Sequence, residues 1–138
     1  MALYDNTTAT YNTAVGSNSL ENTTTAGFNT AIGANSLLTN TTGQSNTAGG
    51  VNSLYANSAG NYNTGFGRNS LYATTGSDNT SLGYQAGDAI TTGSNNVVIG
   101  SGSDPSANSA SNQIVIGYGA SGQANNSVPL RKADVTAV

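Results

Sequence analysis

Asn12-Thr-Ala-Val-Gly16 recurs down the chain as Asn29-Thr-Ala-Ile-Gly33, Asn46-Thr-Ala-Gly-Gly50, Asn63-Thr-Gly-Phe-Gly67 and Asn79-Thr-Ser-Leu-Gly83. Two more copies, Asn96-Val-Val-Ile-Gly100 and Gln113-Ile-Val-Ile-Gly117, replace the threonine and are more apolar. The closing glycines are spaced 17, 17, 17, 16, 17 and 17 residues apart. So constant a period marks a repeat architecture. A second block, Asn-Ser-Leu, follows at 18–20, 35–37, 52–54 and 69–71, and Gly43, Gly60, Gly76 and Gly93 each lie three residues before the next first block. The period is too short for helix-pair repeats, and Gly, Asn, Ser and Thr are weak formers of helix interiors. Side chains in a strand alternate faces, so Thr13 and Val15 point one way and Ala14 the other. Each repeat therefore reads as two short strands separated by turns at Gly and Asn. Coils stacked about 4.8 Å apart would pair their backbones above and below, and seven of them would span roughly 33 Å. The predicted fold is all-β, a parallel β-solenoid of 17-residue coils over residues 3–127.

Composition suits a stack better than a globule. Asn, Thr, Ser and Gly make up 74 of the 138 residues, whereas Leu, Ile, Val and Phe number only 23. So little apolar material is short of what an ordinary monomeric core needs. Disorder usually comes with high net charge, and this chain carries −3. Order must come from stacking and from contact between chains. Residues 128–138 fit no repeat and read as a connector or an added tail. Leu3 is already in register with Leu20, and the first five residues lack the parts of a signal peptide, so the sequence reads as a segment of a longer array.

Several chemistries are excluded by absence. With no His and no Cys there is no Ser–His or Cys–His nucleophile, no thiolate or imidazole metal site and no disulfide. Asp5, Glu21, Asp78, Asp88, Asp104 and Asp134 are too scattered for a paired acid–base site. They also lack the spacing of calcium-binding β-rolls. Neither an enzyme nor a cofactor or metal site is expected. Arg68, Arg131 and Lys132 form no basic face, so no nucleic-acid partner is expected. No run of 18 apolar residues exists, so this segment inserts in no membrane.

Equivalent residues of successive coils form columns. Val15, Ile32, Phe66, Leu82, Ile99 and Ile116 form one apolar column, and Leu20, Leu37, Leu54 and Leu71, preceded by Leu3, form another. Both are expected to be core. Gly49 breaks the first column, with Val51 placed to fill part of the gap. Asn12, Asn29, Asn46, Asn63, Asn79 and Asn96 are expected to form a structural amide ladder rather than a ligand site. The threonines from Thr13 to Thr80 share the face of the first apolar column and are read as packing. Tyr4, Tyr55 and Tyr72 share a further column, with Glu21 and Leu38 between them. Such a row suits either packing between subunits or recognition of a sugar or protein surface.

The blocks Asn-Thr-Ala-Val-Gly, Asn-Val-Val-Ile-Gly and Gln-Ile-Val-Ile-Gly resemble the head repeats of YadA-like trimeric autotransporter adhesins. Asn-Thr-Ala-Ile-Gly with Asn-Ser-Leu is also similar to repeats of phage tail fibres and related bacterial trimeric fibres. The resemblance covers residues 3–117. It implies a left-handed parallel β-roll interleaved as a homotrimer, located on a cell-surface fibre or, alternatively, a virion tail fibre. Its implied role is multivalent attachment to a cell-surface glycan or protein receptor, with Tyr55, Tyr72 and Tyr4 as the candidate contacts. The alternative is a receptor-binding section of a phage tail fibre.

Overall fold

The computed structural model describes residues 1–128, so the 128–138 tail, apart from Val128, lies outside the described residues. Seven three-residue strands follow one another: β1 (Thr13–Val15), β2 (Thr30–Ile32), β3 (Thr47–Gly49), β4 (Thr64–Phe66), β5 (Thr80–Leu82), β6 (Val97–Ile99) and β7 (Ile114–Ile116). They form one parallel sheet in sequence order, a β-solenoid of about six turns, with no helix among the described residues. Pairing keeps each repeat position against itself, from Thr13 with Thr30 in the first pair to Ile99 with Ile116 in the last. The identical period of the blocks enforces this register.

Each coil holds one strand, not the two expected. The second block pairs with the next coil as well, with the Leu20, Leu37 and Leu54 N–H groups donating to the Ser36, Ser53 and Ser70 carbonyls at 3.0 Å. It is not extended, however. Asn18, Asn35, Asn52 and Asn69 adopt φ of 56 to 58°, and Leu20, Leu37, Leu54 and Leu71 φ of 50 to 53°. Asparagine tolerates this left-handed region, whereas leucine does so at a cost of roughly 1–2 kcal/mol. Full burial of the leucine side chain offsets that cost by a similar amount. The result is a tight corner that bends the chain back and drives each leucine inward.

The residue that opens this corner must be glycine. Gly33 has φ +135°, and a Cβ there would lie 2.6 Å from the Gly50 carbonyl carbon. Stacked coils meet backbone to backbone at this corner, which leaves no room for a side chain. The same clash, with the next glycine of the column, recurs at Gly16 and Gly50.

The strand faces are the reverse of the expected ones. Val15 is 57 % exposed and Leu82 55 %, Ile32 and Phe66 are also exposed, and Ile99 and Ile116 are half-buried. This column is not the core of the chain. The middle residue of each strand points inward instead: Ala31, Ala48, Ser81, Val98 and Val115 are buried, and Gly65 occupies the same position. The physical reason is thickness. The fully buried leucine column already fills most of a narrow coil, so only a small residue fits opposite it. Where leucine is lost, at Gly87 and beyond, the middle position grows to Val98 and Val115, and Ile90 turns inward. A Cβ on Gly87 would lie 3.1 Å from Leu71 Cδ2 and 3.2 Å from Ile90 Cδ1, so volume is exchanged between neighbouring positions. The gap at Gly49 is covered by the Phe66 ring of the next coil rather than by Val51, which is exposed.

Leu37 is 0 % exposed and sits between Leu20 and Leu54. Replacing it with Asn removes an apolar contact and buries an amide, a cost of several kcal/mol. Thermal unfolding of Leu37→Asn, followed by circular dichroism, should fall by roughly 10 °C or more. A midpoint within a few degrees of the parent would show that the leucine column is not what fills the coil.

Candidate functional site

The polar interior is committed to the fold. Asn29, Asn46, Asn63, Asn79 and Asn96 are completely buried, and Asn12 is half-buried at the first coil. Each Oδ1 accepts from the backbone N–H at the same repeat position in the following coil: Asn46 from Asn63 at 2.9 Å, Asn79 from Asn96 at 3.1 Å and Asn96 from Gln113 at 3.0 Å. Each Nδ2 donates across to a carbonyl of that coil, as Asn46 does to Gly60 at 2.8 Å. Buried and bonded between coils, Asn29 to Asn96 are closed to a ligand. The ladder ends where Gln113 replaces Asn: its longer side chain reaches the irregular 103–112 stretch, donating through Nε2 to Ser106 Oγ at 2.7 Å. A second, more exposed ladder runs from Asn18 to Asn69 at 3.1 to 3.3 Å between side-chain amides.

The exposed features are of two kinds. One is the outer face of the sheet, where two side chains per strand stand in columns. The first column reads Thr13, Thr30, Thr47, Thr64, Thr80, Val97 and Ile114, and the second holds the exposed apolar residues described above. No charged residue stands in either column. The threonines do share a face with the apolar column, and that face looks outward.

Aromatic side chains are the other exposed feature. Tyr55 and Tyr72 stack with ring centroids 5.0 Å apart and planes 11° from parallel. The step between coils is close to an aromatic stacking distance, so adjacency in a column is enough to produce the pair. One face of each ring is used on the other. Tyr72 is 38 % exposed and Tyr55 half-buried. Tyr4 is separated from them by the coils of Glu21 and Leu38 and does not join the stack. Tyr11 and Phe28 form a second stack at 4.9 Å and 14°, with φ of 61 and 62°.

One pairing went unseen in the sequence. Asp88 and Asp104, 16 residues apart, meet across adjacent coils. The signal was their separation, one residue less than the 17-residue period of their coil. Burial, with the neighbouring Asp88 adding to it, raises the Asp104 carboxyl to about 6, against the Ala89 N–H, which donates to Asp104 Oδ1 at 3.2 Å. Burial also raises Asp88, against a hydrogen bond from Asp104. Below about pH 6 Asp104 is protonated and its carboxyl donates to Asp88. No group of three or more metal-ligating side chains accompanies it among the described residues.

No helix among the described residues is long and apolar enough to cross a membrane. Compared with known proteins, the chain matches no family model, no curated protein and no solved structure. The outer sheet face and the tyrosine stack are therefore the features on which a function can be argued.

The proton pair gives a pH dependence of definite sign. Asp104 binds its proton more tightly folded than unfolded, so its contribution is present below the unfolded value near 3.8 and is lost as pH rises through about 6. The melting temperature should rise on going from pH 7 to pH 5, and Asp104→Asn should flatten that rise while leaving the chain folded. A parent whose stability falls over the same interval would contradict the shared proton.

Proposed function

We propose that this chain is a structural and adhesive segment of a homotrimeric surface fibre, a left-handed interleaved β-roll that attaches to glycan on a cell surface. The observation that carries the reading is the uncharged outer sheet face, with Val15, Ile32, Phe66 and Leu82 all open to water. A contiguous apolar strip on a soluble surface marks an interaction site. A second copy of the chain fits it well. The face has no charge to repel its own image, and its rows repeat at the same step in every copy.

Six inter-coil steps make the strip roughly 29 Å long, so matching copies can meet along its whole length. In a trimer each copy presents the strip to two neighbours around a common axis. The resemblance of the repeats to trimeric fibre heads supports the same number.

Attachment is assigned to Tyr55 and Tyr72. The polar and apolar parts of a sugar suit tyrosine edges and hydroxyls beside Asn, Ser and Thr. Three chains repeating weak contacts along a rod gain avidity from number alone. Arg68 is the one Lys or Arg among the described residues, so binding should depend little on salt.

Sedimentation equilibrium should return a mass about three times 13.7 kDa, and a mass near 13.7 kDa would contradict the trimer. In the trimer, Tyr55→Ala combined with Tyr72→Ala should abolish binding to a glycan array while the melting temperature changes little. Loss of the trimer in that variant would make the stack packing, and steep salt dependence would move recognition away from it.

A further inference from the structure

The corner that leads into each strand is left-handed in every coil. Ser45, Asp78, Asn95 and Asn112 stand there at φ of 56 to 61°. Aspartate and asparagine tolerate that region. Tyr11, Phe28 and Tyr62 occupy the same corner in other coils, at φ of 57 to 62°. A bulky side chain at such an angle is a steric outlier. At the leucine corner burial compensates, but these three rings are 77, 59 and 64 % exposed. Tyr11 and Phe28 recover part of the cost by stacking on each other. Among the described residues no ring stacks on Tyr62. Strain that the fold does not use points to a role outside it.

The order of residues in this column leaves a gap one ring deep. The Phe28 N–H donates to the Thr10 carbonyl at 3.2 Å, Ser45 to Gly27 at 3.2 Å and Tyr62 to Gln44 at 3.1 Å. The three residues therefore stand at one place in successive coils. One face of Phe28 lies on Tyr11, so its other face turns toward the coil of Ser45. Tyr62 resumes the column two coil steps, about 9.6 Å, from Phe28. Between them stands Ser45, itself exposed, whose side chain is a single hydroxyl. Gln44 and Asn61 precede Ser45 and Tyr62 and bring amides to the same corner. The column carries no charge from Tyr11 to Tyr62.

We propose that the gap over Ser45 is a saccharide subsite that takes one pyranose ring of a neutral glycan between Phe28 and Tyr62. A flat ring touching both walls spans about 7–8 Å, two carbon–carbon contacts, which falls short of the gap. The pucker and axial hydrogens of a pyranose supply the missing thickness. Its apolar faces meet the two aromatic walls, and its hydroxyls meet Ser45 and the amides at the open edge. With no charge in the column, a neutral sugar is the ligand that loses least on entry. One copy of the chain completes this site, so it depends neither on the trimer nor on the Tyr55–Tyr72 stack. It shares with the proposed function only the class of ligand.

Titration of the full chain with maltotetraose, cellotetraose or mannotetraose tests it, in the millimolar range suited to a contact of one ring. The readout is the NMR shift of the Ser45 and Tyr62 amides, and at least one of the three sugars should move both. Ser45→Phe fills the gap with a ring at an angle that Phe28 already adopts, and should weaken the response about tenfold or more. Tyr62→Asn copies Asn95 and Asn112, removes one wall and should do the same. Should Ser45→Phe disturb the fold, Tyr62→Asn carries the test. Silence at both amides with all three sugars would overturn the subsite, as would an unchanged response in a folded variant. If p-cresol moves the same amides at lower concentration than any sugar, the gap takes an aromatic side chain and the subsite is again overturned. Tyr55→Ala with Tyr72→Ala should leave the response within about threefold of the parent. Loss in that variant, with Ser45→Phe silent, would return attachment to the Tyr55–Tyr72 stack and remove this inference alone.

Discussion

An asparagine carboxamide ties each coil to the next. It accepts from the backbone N–H of its own counterpart one coil on and donates to the carbonyl of the glycine three residues before that counterpart, 2.9 and 2.8 Å for Asn46. One rigid side chain thereby fixes both ends of a four-residue turn and sets its distance from the coil below. Strands of three residues offer few backbone bonds of their own. Without the amide clamp, a parallel pair so short has little to hold its register. Because buried amides cost several kcal/mol unless fully bonded, any slip by one residue leaves a stack of unsatisfied groups, and the register is sharply selected.

That clamp dictates the rest of the cross-section. With polar side chains inside, the coil needs only a thin apolar filling, supplied by the leucine corner and the small middle residue of each strand. The larger strand residues are then turned outward. Amides and hydroxyls thus share the interior with leucine and, at β6 and β7, valine, while Val15, Ile32, Phe66 and Leu82 stand outside. That exposed apolar row is the physical basis for the proposal that the chain is one member of an assembly.

Period, parallel pairing and the leucine column were legible in the sequence, because each is a property of spacing alone. The sense of the strand faces was not. Alternation correctly separates Ala14 from Thr13 and Val15, but period two says nothing about which side is inside. Hydrophobicity favoured the valine side, and in a solitary globule that choice would normally hold. Here, interior volume decides, and volume depends on Leu20 and Leu37, which lie beyond the strand. The extended second strand failed for a related reason: nothing in Asn-Ser-Leu announces a left-handed leucine, which only complete burial sustains. The tyrosine stack was readable in part, since Tyr55 and Tyr72 are one period apart, although not that their faces would close on each other. Asp88 and Asp104 escaped notice because they are one residue out of column, so the 17-residue period of their coil does not align them.

Residue-level hydrogen exchange on Asn46→Ala tests the amide clamp most directly. The N–H of Asn63, which donates to the Asn46 side chain, should lose its protection first, together with the neighbouring turn from Gly60, while coils several periods away stay slow to exchange. Protection at Asn63 equal to that of the parent would contradict the account, since the backbone pairing would then hold the coils without the amides.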